Sequence, residues 1–91
     1  MEQAARGSAK TIVLSREARK ALDQMPNNVE SLIRSKLRQL AADPRALTNN
    51  IKALKSSDLS RLRVGSWRVL FRSDAEHVNV LAIGSRGSIY E

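Results

Sequence analysis

The chain has 91 residues, a formal net charge of +7, 42% hydrophobic residues and no cysteine. That length predicts one domain with a small core, and the apolar content is too high for a disordered chain. Without cysteine there are no disulfide staples, thiolate metal sites or cysteine nucleophile, which fits the cytoplasm, and no apolar run is long enough to span a membrane.

Residues 1–9, MEQAARGSA, lack the apolar stretch of a signal peptide and read as a loose start. Residues 10–14, KTIVL, are β-branched and apolar and predict a first strand. Ser15 is a good N-cap, with Glu17 in the first turn of the helix that follows. Ala18, Ala21, Leu22 and Met25 recur at helical spacing, and Pro26 stops that helix. Asn27 opens a second helix, with Glu30 at capping-box distance. Val29, Leu32, Ile33, Leu37, Leu40 and Ala41 form its apolar face, and Asp43-Pro44 ends it. The two predict an αα-hairpin.

Residues 44–58 read as a connecting loop carrying Lys52 and Lys55. The pattern then changes to period 2. Residues 59–64 predict a strand, Gly65-Ser66 a II′ turn, and residues 67–72 the antiparallel partner. Residues 73–76 make a second turn, and 77–83 a third strand of this set. The order β-α-α-β-β-β predicts an α+β fold, with an antiparallel sheet and the helix hairpin packed on one face. The other face is left to water.

The strand period decides what that face carries. Leu62 and Val64 point one way and Arg61 and Arg63 the other. Trp67, Val69 and Phe71 share one side of the next strand, and Arg68, Leu70 and Arg72 the opposite side. With the apolar sides on the helices, four arginines line the open face, and Trp67 is assigned to core packing rather than base stacking. Arg86 and Tyr90 follow in the C-terminal segment. Basic residues are spread over both halves of the sequence, so the charge belongs to the folded body and points to an anionic partner.

"LSRLRVGSWRVLFR", a short acidic turn and "VNVLAIGSRGSIY" together resemble the RelE/ParE superfamily of bacterial toxins. "TIVLSREARKAL" and "LAADPRA" resemble that family's first strand, first helix and second helix end, so the resemblance spans residues 10–91 as one RelE-like toxin domain. It implies a toxin of a type II toxin–antitoxin module, acting in the cytoplasm as a ribosome-dependent mRNA endoribonuclease that inhibits translation. The implied partners are a cognate antitoxin, the ribosome with its mRNA, and operator DNA through the antitoxin. No cofactor, metal or membrane is implied. The catalytic roles fall on Arg61, Arg68, Arg86 and Tyr90, and further phosphate contacts on Lys52, Lys55, Arg63 and Arg72. Ser85 and Leu59 stand where many relatives carry His and some carry Lys.

RNA brings its own nucleophile, the 2′-OH, so a protein can cleave it by aligning that oxygen and stabilising charge on the phosphate. Arginine is always charged and binds phosphate bidentately. Arg68 and Arg86 suit that electrostatic work. Tyr90 is the candidate for proton transfer, its phenol assisted by neighbouring arginines. His77 reads as a surface histidine. Two other functions fit the same fold: a ParE-like toxin that poisons DNA gyrase without cutting, and a catalytically weakened module that only binds its antitoxin.

Overall fold

The computed structural model describes residues 9–55 and 57–85, with the side chain of Pro44 left aside. Five strands form one sheet: β1 (Thr11–Leu14), β2 (Ile51–Ala53), β3 (Ser60–Val64), β4 (Trp67–Ser73) and β5 (His77–Ser85). Two helices, α1 (Arg16–Asp23) and α2 (Asn27–Ala42), separate β1 from the rest, and Pro44–Asn50 coils in 3-10 turns before β2. The spatial order is β1-β5-β4-β3-β2.

The sheet is α+β in setting but mixed rather than antiparallel throughout. β2 to β5 pair antiparallel, whereas β1 lies parallel to β5, Thr11 opposite His77 and Leu14 opposite Val80. The two helices lead from β1 to β2 at the opposite edge of the sheet, and the parallel pairing of β1 with β5 brings the first and last of these strands together.

Ser15 builds the start of α1 and joins it to the sheet. Its Oγ accepts from the Ala18 backbone N–H at 3.0 Å and donates to the Leu81 carbonyl at 2.7 Å. Leu81 is the residue that the β4–β5 register skips, since Phe71 faces Val80 and Leu70 faces Ala82. A bulge of this kind adds one residue and shifts the strand's alternation. So Val78 and Val80 point into the core, and beyond the bulge Ile83 does too.

α2 departs from its expected start. Pro26 occupies the N-cap, without a side-chain bond, and Asn27 is already helical. Asn27 therefore cannot close a capping box, and the Glu30 carboxylate turns instead to Arg34 Nε at 2.9 Å, an i,i+4 pair. The buried residues of α2 are Ile33, Leu37, Leu40 and Ala41. Leu32, expected on that face, is 48% exposed, because it lies one residue off the stripe, about 100° around the helix.

The expected loop over residues 44–58 is partly ordered. The Asp43 side chain accepts from the Arg45 N–H at 3.2 Å and caps the 3-10 segment, whose Leu47 is buried. β2 then closes on β3, with Ile51 opposite Leu62 and Lys52 opposite Arg61. A short polar-looking stretch becomes a strand here because β3 has an open edge to satisfy. The β3–β4 turn is where glycine is required: Gly65 has φ +60°, a left-handed conformation that side chains resist.

The core lies between the helices and one face of the sheet. Leu22, Ile33, Leu37 and Leu40 meet Leu62, Val69, Val78 and Val80 there, all essentially fully buried. Each such side chain contributes roughly 1.5–3 kcal/mol on burial. Trp67 is half-buried and packs against this cluster rather than facing the open side. Among the described residues no helix is long and apolar enough to cross a membrane.

Candidate nucleic-acid interface

The open face is assembled from three neighbouring strands by their register. Lys52 on β2 stands directly opposite Arg61 on β3, and Arg63 on β3 directly opposite Arg68 on β4. Arg72 on β4 faces Asn79 on β5, and Gly84 faces Arg68. Two like-charge pairs thus sit side by side on one surface. Cross-strand like charges destabilise a sheet, and arginine cannot discharge the conflict by losing a proton.

These side chains shape an open cleft of about 210 Å³, lined by Asn49, Asn50, Ile51, Lys52, Arg61, Arg63 and Arg68. Arg61 and Arg68 are half-buried, while Lys52 and Arg63 are exposed. Arg68 Nη1 donates to the carbonyls of Gly65 at 3.1 Å and Trp67 at 3.0 Å, which holds its guanidinium against the hairpin turn. Arg72 Nη1 lies 3.5 Å from Asp58 Oδ1 in a surface pair. Among the described residues no carboxylate pairs with Lys52 or Arg63. The cleft is lined by four cationic side chains, chemistry that suits a polyanion.

Lys55 lies in the turn between β2 and β3, exposed and outside the cleft lining. His77 also lies elsewhere, at the start of β5. Its Nδ1 is 3.3 Å from Asp74 Oδ1, and that carboxylate accepts backbone N–H bonds from Glu76 at 2.8 Å and His77 at 2.7 Å. Those backbone bonds, first the one from Glu76, hold the Asp74 carboxyl below its ordinary range. The arrangement is that of a turn stabilised by its own aspartate. Arg86 and Tyr90 lie outside the described residues. Asn49 and Asn50 are cleft residues that the sequence alone did not mark. Two adjacent asparagines looked like loop polarity, and only the pairing of β2 brings them beside the arginines.

The model of the ParE toxin of the type II toxin–antitoxin system parDE matches residues 12–90. The chain belongs to the ParE toxin family. Solved structures extend the likeness of this ParE-family chain at the level of fold. A chain of the archaeal RelE–RelB complex from Pyrococcus horikoshii is 20% identical with a TM-score of 0.76, covering 89% of this chain and 99% of that one. A chain of the RelBE2 toxin–antitoxin complex from Mycobacterium tuberculosis is 22% identical with a TM-score of 0.73, covering 86% and 99%. A chain of the intact E. coli RelBE complex is 20% identical with a TM-score of 0.71, covering 85% and 96%. No curated protein sequence matches significantly. The α+β fold of this chain, with its five-stranded mixed sheet, matches these RelE structures.

Proposed function

We propose that this toxin acts as a ribosome-dependent mRNA endoribonuclease and that its open sheet face is the RNA site. The observation that carries the reading is the double like-charge pairing, Lys52 with Arg61 and Arg63 with Arg68, on a surface that no described helix covers. Four cationic side chains gathered on neighbouring strands suit a phosphate chain laid across them. RNA suits it better than DNA for chemistry, since the 2′-OH is already present as nucleophile. Lys52, Arg61 and Arg63 hold successive phosphates. Arg68, released from the hairpin carbonyls, stabilises charge on the scissile phosphate. Arg86 adds a second guanidinium, and the Tyr90 hydroxyl moves the proton.

The three RelE neighbours described above were solved as toxin–antitoxin complexes, which supports a cognate antitoxin here as well. An acidic antitoxin segment fits the +7 charge.

Primer extension on mRNA from cells expressing the chain tests the reading. Discrete cuts are expected, and Arg86→Ala and Tyr90→Phe each lower cleavage on programmed ribosomes by ~10²-fold with ribosome binding largely kept. Uncut mRNA in arrested cells overturns it. The family match to ParE favours one second reading, a gyrase poison that uses the same fold without cutting. Lost supercoiling activity in purified gyrase, with intact mRNA, is its signature.

A further inference from the structure

Cations alone cannot read a sequence. Guanidinium and ammonium groups bind the phosphate of every nucleotide alike, so Lys52, Arg61, Arg63 and Arg68 supply affinity without selection. The cleft also contains two carboxamides. Asn49 and Asn50 stand where the 3-10 segment runs into β2, and they line the same cavity as the four cations. Asn50 is half-buried, and its Nδ2 donates to the Arg63 carbonyl at 3.5 Å, a long contact that ties the amide to the strand bearing the arginines. Among the described residues its Oδ1 and second N–H have no other partner, and Asn49 is exposed.

The spacing suits one nucleotide. Asn50 closes the 3-10 segment and Lys52 lies two residues on in β2, at most roughly 7 Å along the chain, and both line the cleft. A phosphate resting on Lys52 and on Arg61 across from it leaves the attached base at the asparagine end of the cleft. A carboxamide offers a donor and an acceptor side by side, a pair that adenine matches on two edges, N7 or N1 with its 6-amino group, and cytosine on one. Single-stranded RNA is the form in which that edge is free.

The geometry points to a base-reading subsite: Asn49 and Asn50 select adenine at the RNA position whose phosphate lies on Lys52 and Arg61. This selectivity rests on the RNA reading above and adds to it a named base and the residues that recognise it.

The test uses the full chain, produced with its antitoxin and then separated from it, titrated with short labelled homopolymers of adenylate, cytidylate and uridylate. Adenylate is expected to bind ~10-fold tighter than the pyrimidines. In the double variant Asn49→Ala, Asn50→Ala the three should converge to within about twofold, with the salt dependence unchanged because no phosphate contact is lost. Asn50→Asp keeps the side-chain shape and removes its donor, so it should also abolish the preference, and thermal melting of each variant reports that it is folded. An adenylate preference that survives both variants overturns the subsite. Equal binding of the three homopolymers by the wild type does the same while leaving the RNA reading standing. A wild type that binds none of them overturns the subsite as a property of the free protein, while the ribosome-dependent reading is decided by primer extension.

Discussion

On the helix-covered side of the sheet, Leu62, Val69, Val78 and Val80 are essentially sealed from water. One residue along in β3, and one back from Val69 in β4, Arg63 and Arg68 stand opposite each other on the open side. The same strands therefore obey two demands. Every position on the covered side lowers the free energy of the fold by burying apolar surface. The open side instead sets like charges opposite one another, Lys52 with Arg61 and Arg63 with Arg68, a pattern that buries no apolar surface. The comparison teaches that the covered side answers for stability, while the open side is where the proposed RNA contact would lie, and each can be disturbed separately.

Breaking the covered side has the largest effect. Leu37→Ala removes a side chain only 2% exposed, and unfolding in urea should show a loss of ~2–5 kcal/mol. RNA affinity of the remaining folded fraction should not change. A smaller loss, ~1–2 kcal/mol, is expected for Ser15→Ala, which removes the cap of α1 and the bond to Leu81 at 2.7 Å. Amide exchange should rise around the bulge, where β5 switches its alternation. If only the amides of α1 respond, Ser15 is a helix cap and nothing more. Arg63→Glu gives the sharpest and smallest change in stability. It turns a like-charge pair with Arg68 into an opposite-charge one, so the melt should improve by ~0.2–1 kcal/mol. RNA affinity should fall in the same variant, with the slope of log affinity against log salt shallower by ~1. A variant that is less stable and binds equally well would show that the open face is not held under charge conflict.

Most of this division can be read from residues 59–72. Period 2 separates Leu62 and Val64 from Arg61 and Arg63, and Val69 and Phe71 from Arg68 and Arg72, and the structure keeps every one of those assignments. What could not be read has physical causes. β2 is three residues long, too short for a periodic signal, and its pairing depends on the free edge of β3. The parallel union of β1 with β5 joins distant parts of the chain and leaves no local mark. The bulge hides inside VLAI at residues 80–83, a run apolar on every residue, where the switch of phase has no polar partner to reveal it. Asn50 is a cleft residue because of β2, so it stayed illegible for the same reason. Leu32 shows the opposite error: an apolar residue credited to a stripe that passes beside it.

The bond from Ser15 to Leu81 spans 66 residues of sequence. During synthesis at ~5–20 residues per second, Ser15 precedes its partner by about 3–13 s. The β3–β4–β5 meander is local and pairs on the scale of ~1–10 μs per hairpin once it emerges, whereas β1 has waited throughout with its apolar Ile12 and Leu14 uncovered. A chain interrupted before Leu81 has neither the parallel partner of β1 nor the carbonyl that Ser15 seeks. Its helices then have little sheet to cover, and the fragment is open to proteases. Joining the first strand to the last described one makes the fold an all-or-nothing product of translation, so that premature termination yields debris instead of a partly armed toxin.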